Sequence, residues 1–158
     1  MSIEEVLLKS GLAAFLEATG LQPESPDEYR VTVPDGYQRL LEHIRVHGYC
    51  LGIEQGRDVP WHQEVASWRV HVYKPIAGMI RRSDILKEFP ERTETGLYLF
   101  LMDHLHSLRE RYHNPAMPPE EAMKDFEQMK APRPPGRLRG WLTGKIRGEA
   151  GKAEKSPP

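Results

Sequence analysis

The chain has 158 residues, 39% hydrophobic and 28% charged, which suits one domain around a single core. No run of about 18 apolar residues occurs, so no membrane-spanning helix is predicted, and the acidic start MSIEEV lacks the basic opening of a secretory leader. Formal charge is −1 but uneven, residues 1–130 summing to −6 and residues 131–158 to +5, and a lone Cys50 excludes an internal disulfide and fits a reducing cytoplasm.

In chain order the pattern is helical. Ser2 and Glu5 have capping-box spacing, and Ile3, Val6, Leu7, Leu12, Phe15 and Leu16 predict a first helix to about residue 18. Residues 20–36 form a connector with one short extended stretch, Tyr29–Val33, closed by a Pro34-Asp35-Gly36 turn in which Gly36 supplies a positive φ. A second helix runs from about Tyr37 to Leu51, with Tyr37, Leu40, Leu41, Ile44 and Leu51 on one stripe, and Gly52 and Gly56 break it.

Asp58 and Pro60 open a third helix whose Trp61, Val65, Trp68 and Val72 form a buried face around two indoles. Pro75 ends or kinks it near Tyr73, because proline has no N–H to donate. Ser83 caps a short helix that Pro90 closes. Thr93 or Thr95 caps a central helix with Leu97, Leu101, Leu105, Leu108 and Tyr112 as its main stripe. Pro118-Pro119-Glu120-Glu121 starts a last helix ending near Lys130. The expectation is an all-α fold: a compact orthogonal or bundle-like domain of five or six helices over residues 1–130. Residues 131–158 are expected to be a disordered, Pro/Gly-rich basic tail.

The candidate chemistry is sparse. His43 and His47 are four apart on a helix, which is metal-ligand spacing, and Glu42 or Asp103 could complete a small metal-dependent site. The HExxH pattern is absent, so half-buried, hydrogen-bonded histidines at a helix interface are the preferred reading, with no cofactor expected. Cys50 carries no nucleophile signature and reads as a small, inert, partly buried thiol. Gly48, Gly52 and Gly56 lack the strand–turn–helix setting of a phosphate loop. The acidic body opposes nucleic-acid binding. Only the tail, with Arg137, Arg139 and Trp141 beside Leu138, Leu142 and Ile146, could reach nucleic acid or an anionic membrane as a basic amphipathic segment.

Four clusters carry a resemblance. They are Thr32, Pro34, Gly36 and Tyr37; His43, Ile44, Val46, His47 and Tyr49; Trp68, Val72, Tyr73 and Pro75; and Phe89, Pro90, Arg92, Thr93, Glu94, Leu97, Tyr98 and Leu99. In this order they resemble the C-terminal helical domain of bacterial ParB/sulfiredoxin-like proteins labelled transcriptional regulators, over about residues 15–112. Where that pattern has an arginine, a Tyr-Asp pair and an aspartate, this chain has Gly48, Arg69-Val70 and Gly96. The apolar scaffold is kept and the charged motif residues are replaced together.

The resemblance implies a helical regulatory module without the ParB-like domain that would carry phosphate chemistry, either a stand-alone paralogue or half of a split gene. The expected function is therefore a non-enzymatic protein-interaction or regulatory module in the cytoplasm. Its partner would be a separate ParB-like chain or a second copy, met by His43, His47, Trp68, His71 and Tyr73.

Overall fold

A computed structural model describes residues 2–129 of the chain. The described residues form six helices and no strand: α1 Ile3–Thr19, α2 Gly36–Gln55, α3 spanning 61–82, α4 Ile85–Glu88, α5 Glu94–Arg111 and α6 Pro119–Met129. The all-α expectation is met. The predicted tail lies outside the described residues. The chain divides into two units, Met1–Ala122 and Met123–Pro158, and α1 to α5 belong to the first. Of the second, residues 123–129 continue α6.

Local chemistry sets most helix ends. Ser2 Oγ accepts the Glu5 N–H (3.1 Å) while Glu5 accepts the Ser2 N–H (2.7 Å), a complete capping box. Gly20 closes α1 in the left-handed region, at φ 73°. Thr93 caps α5, its Oγ1 accepting the Gly96 N–H at 2.9 Å. α2 runs past the expected break at Gly52 and stops at Gly56, whose φ of 66° ends a helix that Gly52 only thins.

The connector departs from its expected extended stretch. Tyr29 has φ 68°, a left-handed conformation that no strand residue adopts, and the Arg30 N–H turns back to the Asp27 carbonyl. Gly36 is not at positive φ; a Cβ there would sit 2.6 Å from Val31 Cγ2, so close packing requires the glycine. The turn is held by Tyr37 Oη, which accepts the Val31 N–H at 3.2 Å.

α3 neither ends nor breaks before Pro75. It widens into one π-helical turn over Arg69–Tyr73, where the Lys74 N–H reaches back to the Arg69 carbonyl, and then continues as α-helix through Arg82. A wide turn placed just before proline relieves the missing N–H and the ring's clash with the preceding turn. It also resets the buried stripe. Val65 and Trp68 are followed in the core by Tyr73, Ile76, Ala77 and Ile80, a step of five where an α-helix would step by four. The expected Val72 is therefore only half-buried, and Tyr73 takes its place. Trp61 also lies at the margin, its Nε1–H donating to the Ala18 carbonyl at 2.7 Å.

The core of this unit is an aromatic chain. Phe15 packs on Tyr29 and Tyr37 with ring centres 5.8 and 6.0 Å apart; Tyr29 meets Tyr73 at 5.0 Å, and Tyr73 meets both Trp68 and Tyr98. From α5, Leu97, Leu99, Leu101, Leu105 and Leu108 complete it, while the expected Tyr112 is exposed because α5 ends there. Outside this core, Arg69 clamps the connector onto α3. Its guanidinium bonds Glu24 (2.8 Å) and Glu28 (2.9 Å) and lies over the Tyr29 ring.

Arg69 and Glu28 are each about 15% exposed, 15% and 14%, so removing one strands the other's charge. Arg69→Met is expected to lower stability by about 2–3 kcal/mol in urea unfolding. Arg30→Ala, whose ion pair with Asp27 is exposed on both sides, should cost less than about 0.5 kcal/mol.

Candidate functional site

The polar groups that the sequence singles out converge on the seam between α2, α3 and α5. Tyr98, fully buried on α5, is the meeting point. Its Oη accepts the Trp68 Nε1–H at 3.0 Å and lies 3.1 Å from His43 Nδ1. Burial is the main cause that holds the His43 pKa below the ordinary 6.5, which favours the neutral ring beside the phenol. Burial pushes the Tyr98 and Tyr73 phenols well above their ordinary range, which keeps both as neutral donors. Tyr73 Oη pairs with the buried Thr95 Oγ1 at 2.7 Å.

His47 takes a different partner. Its Nε2 lies 2.8 Å from Ser67 Oγ on α3, and that oxygen lies 3.3 Å from His71 Nδ1. His71 Nδ1 is also 3.1 Å from the Ser67 carbonyl, to which it donates, so Ser67 bridges the two histidines. Burial first, and the nearby His71 second, depress the His47 pKa. Ser67 was not legible as part of this chain, because no spacing rule links it to a histidine on another helix.

The two histidines thus diverge, one toward α5 and one toward α3. Asp103 is engaged by Arg39, and Glu42 is exposed on the surface of α2. Among the described residues no group of three or more His, Cys, Asp or Glu side chains is placed to hold a metal. Trp68 and Tyr73, expected at a contact surface, are core residues at 0% and 2% exposure, because the π turn aims both inward. His71 is exposed, and His43 and His47 are half-buried. Arg137, Arg139 and Trp141 lie outside the described residues. Cys50 is exposed rather than partly buried, since it sits on the solvent side of α2.

That solvent side is the unexpected feature. Val46, Tyr49 and Ile53 are 63%, 70% and 65% exposed, and with Cys50 they form one apolar stripe. At 100° per residue these positions fall within about a third of the helix circumference. An open groove of about 710 Å³ runs beside them, lined by Gly48, Tyr49, Gly52, Ile53 and Arg57, with Glu64 at its edge. Gly48 packs against Glu64 of α3: a Cβ there would overlap the Glu64 side chain, which would have to move. Arg69, one of the departures from the resembled pattern, carries the connector clamp. The described helices include none long and apolar enough to cross a membrane. Comparison with family models, curated proteins and solved structures finds no match to the chain.

Tyr98→Phe leaves the buried Trp68 N–H without an acceptor and should cost about 2 kcal/mol, read by urea unfolding. Tyr29 is the control: its buried hydroxyl has no partner, so Tyr29→Phe should be neutral or stabilising. The histidines predict a pH response. The folded pKa values lie below 6.5, so their contribution is complete above about pH 6.5 and is lost as pH falls through the folded values. Between about pH 7 and about pH 5 the melting temperature should fall less steeply in His43→Gln/His47→Gln than in the parent chain.

Proposed function

We propose that the chain is a non-enzymatic protein-interaction or regulatory module whose contact surface is the outward face of α2. The observation that carries this reading is the exposed stripe of Val46, Tyr49 and Ile53 on a helix whose opposite face is fixed in the core. An isolated exposed valine needs no explanation, but three large apolar groups in register beside a groove suit a binding surface. A second apolar patch, Ile3, Val6 and Leu7 at the start of α1, is exposed too; the groove of about 700 Å³ that this helix lines is built on its Glu5, Leu8, Lys9 and Leu12 instead.

The resemblance to the helical half of ParB-like regulators supports a regulatory setting, with a separate ParB-like chain or a second copy as partner. The metal-enzyme alternative has less behind it. His43 and His47 each commit one ring nitrogen, His43 Nδ1 to α5 and His47 Nε2 to α3, so the two rings diverge, and Asp103 is engaged by Arg39.

A photo-cross-linking amino acid placed at Tyr49 should trap a protein partner in the cells that make the chain. The same group at the exposed Tyr112 should trap none. Adducts at Leu7 and none at Tyr49 would move the surface to α1 and overturn the assignment.

A further inference from the structure

The stripe on α2 has ends as well as a middle. Read along the helix and just past its cap it runs Glu42, Val46, Tyr49, Ile53, Arg57: acid, apolar, aromatic, apolar, base. Glu42 to Ile53 spans about 16 Å at 1.5 Å per residue, and Arg57 follows just past the Gly56 cap. Reversed about a point between Tyr49 and Cys50, the apolar order is unchanged and the charges exchange. Neither terminal charge is neutralised within the chain by an ion pair among the described residues. Glu42 meets only the Gln38 amide at 3.5 Å, and Arg57 bonds the neutral side chains of Gln55 and Gln63 and the Asp58 carbonyl.

We infer that the occupant of this face is a second copy of the same chain, crossing antiparallel about a two-fold axis near Tyr49 and Cys50. The inference rests on the α2 surface proposed above and names its partner. A two-fold interface uses the same patch on both copies, so the patch must complement its own reversal. Here the antiparallel arrangement sets Glu42 against Arg57 of the second copy twice over, Val46 against Ile53, and the two Tyr49 rings beside the axis. A parallel pairing would set Glu42 against Glu42 and Arg57 against Arg57, and is disfavoured by repulsion at both ends. The sole thiol, exposed on Cys50, would then face its equivalent across the axis and serves as a reporter.

The test is sedimentation velocity of the full, reduced chain across a concentration series, with charge-exchange variants. A monomer–dimer equilibrium is expected. Glu42→Arg and Arg57→Glu should each weaken it, roughly three- to tenfold, because each change turns two attractive pairs repulsive. The double variant should recover the parent affinity, and a short bis-maleimide should link Cys50 to Cys50 in the parent dimer. A monomer at every concentration overturns the inference, as does a dimer indifferent to both single exchanges or one that the double exchange fails to restore. A monomeric chain that still forms Tyr49 adducts with a different protein defeats the self-pairing and leaves the proposed function standing. Absence of any Tyr49 adduct defeats both.

Discussion

The buried phenol of Tyr98 is the point on which the seam of the first unit turns. A single oxygen receives the Trp68 indole N–H from α3 and faces His43 of α2, so three helices share one hydrogen-bonded junction inside an aromatic core. A buried hydrogen-bonding group must find its partner or lose about 1–3 kcal/mol, so the junction restricts how the helices can pack as well as adding attraction. The π turn in α3 follows from this demand. In a regular helix Trp68 and Tyr73 would point about 140° apart, and Pro75 follows only two residues later. One widened turn brings both rings to Tyr98.

That junction also divides α2. Its inward residues, Tyr37, Leu40, Ile44 and Gly48, are covered by the rest of the unit, and His43 and His47 on the flank each commit one ring nitrogen, to Tyr98 and to Ser67. The residues that look most chemical in the sequence are thereby absorbed as fixings of the fold. The residues left over, Val46, Tyr49 and Ile53, offer mainly apolar area, with one phenol hydroxyl, and apolar area held on a helix is suited to recognition. The surface left for contact is therefore the outward face of α2, beside the histidine flank and opposite the buried face.

Much of the fold was legible because its signals are local. The capping box at Ser2, the threonine cap at Thr93 and the proline start at Pro119 depend on a few neighbouring residues, and each stands where the pattern puts it. What was not legible depends on distant packing. The continuation of α3 through Pro75, the left-handed Tyr29 and the burial of Tyr73 in place of Val72 are settled by partners 20 or more residues away. The candidate surface was hidden for a related reason: α2 has apolar residues on two sides, and periodicity alone does not say which side the rest of the chain covers. Apolar residues at 46, 49 and 53, off the main stripe, were the available signal.

The central claim is that the two sides of α2 have separate duties, the inner one holding the fold and the outer one making contact. Thermal unfolding of Val46→Gln/Ile53→Gln, at concentrations too low for association, tests it most directly. Glutamine favours helix slightly more than valine or isoleucine, so a stripe with no role in the fold predicts a melting temperature within about 2 °C of the parent, or above it. A fall of more than about 5 °C would show that these side chains stabilise the folded chain itself, and the outer face would then be part of the core rather than a site.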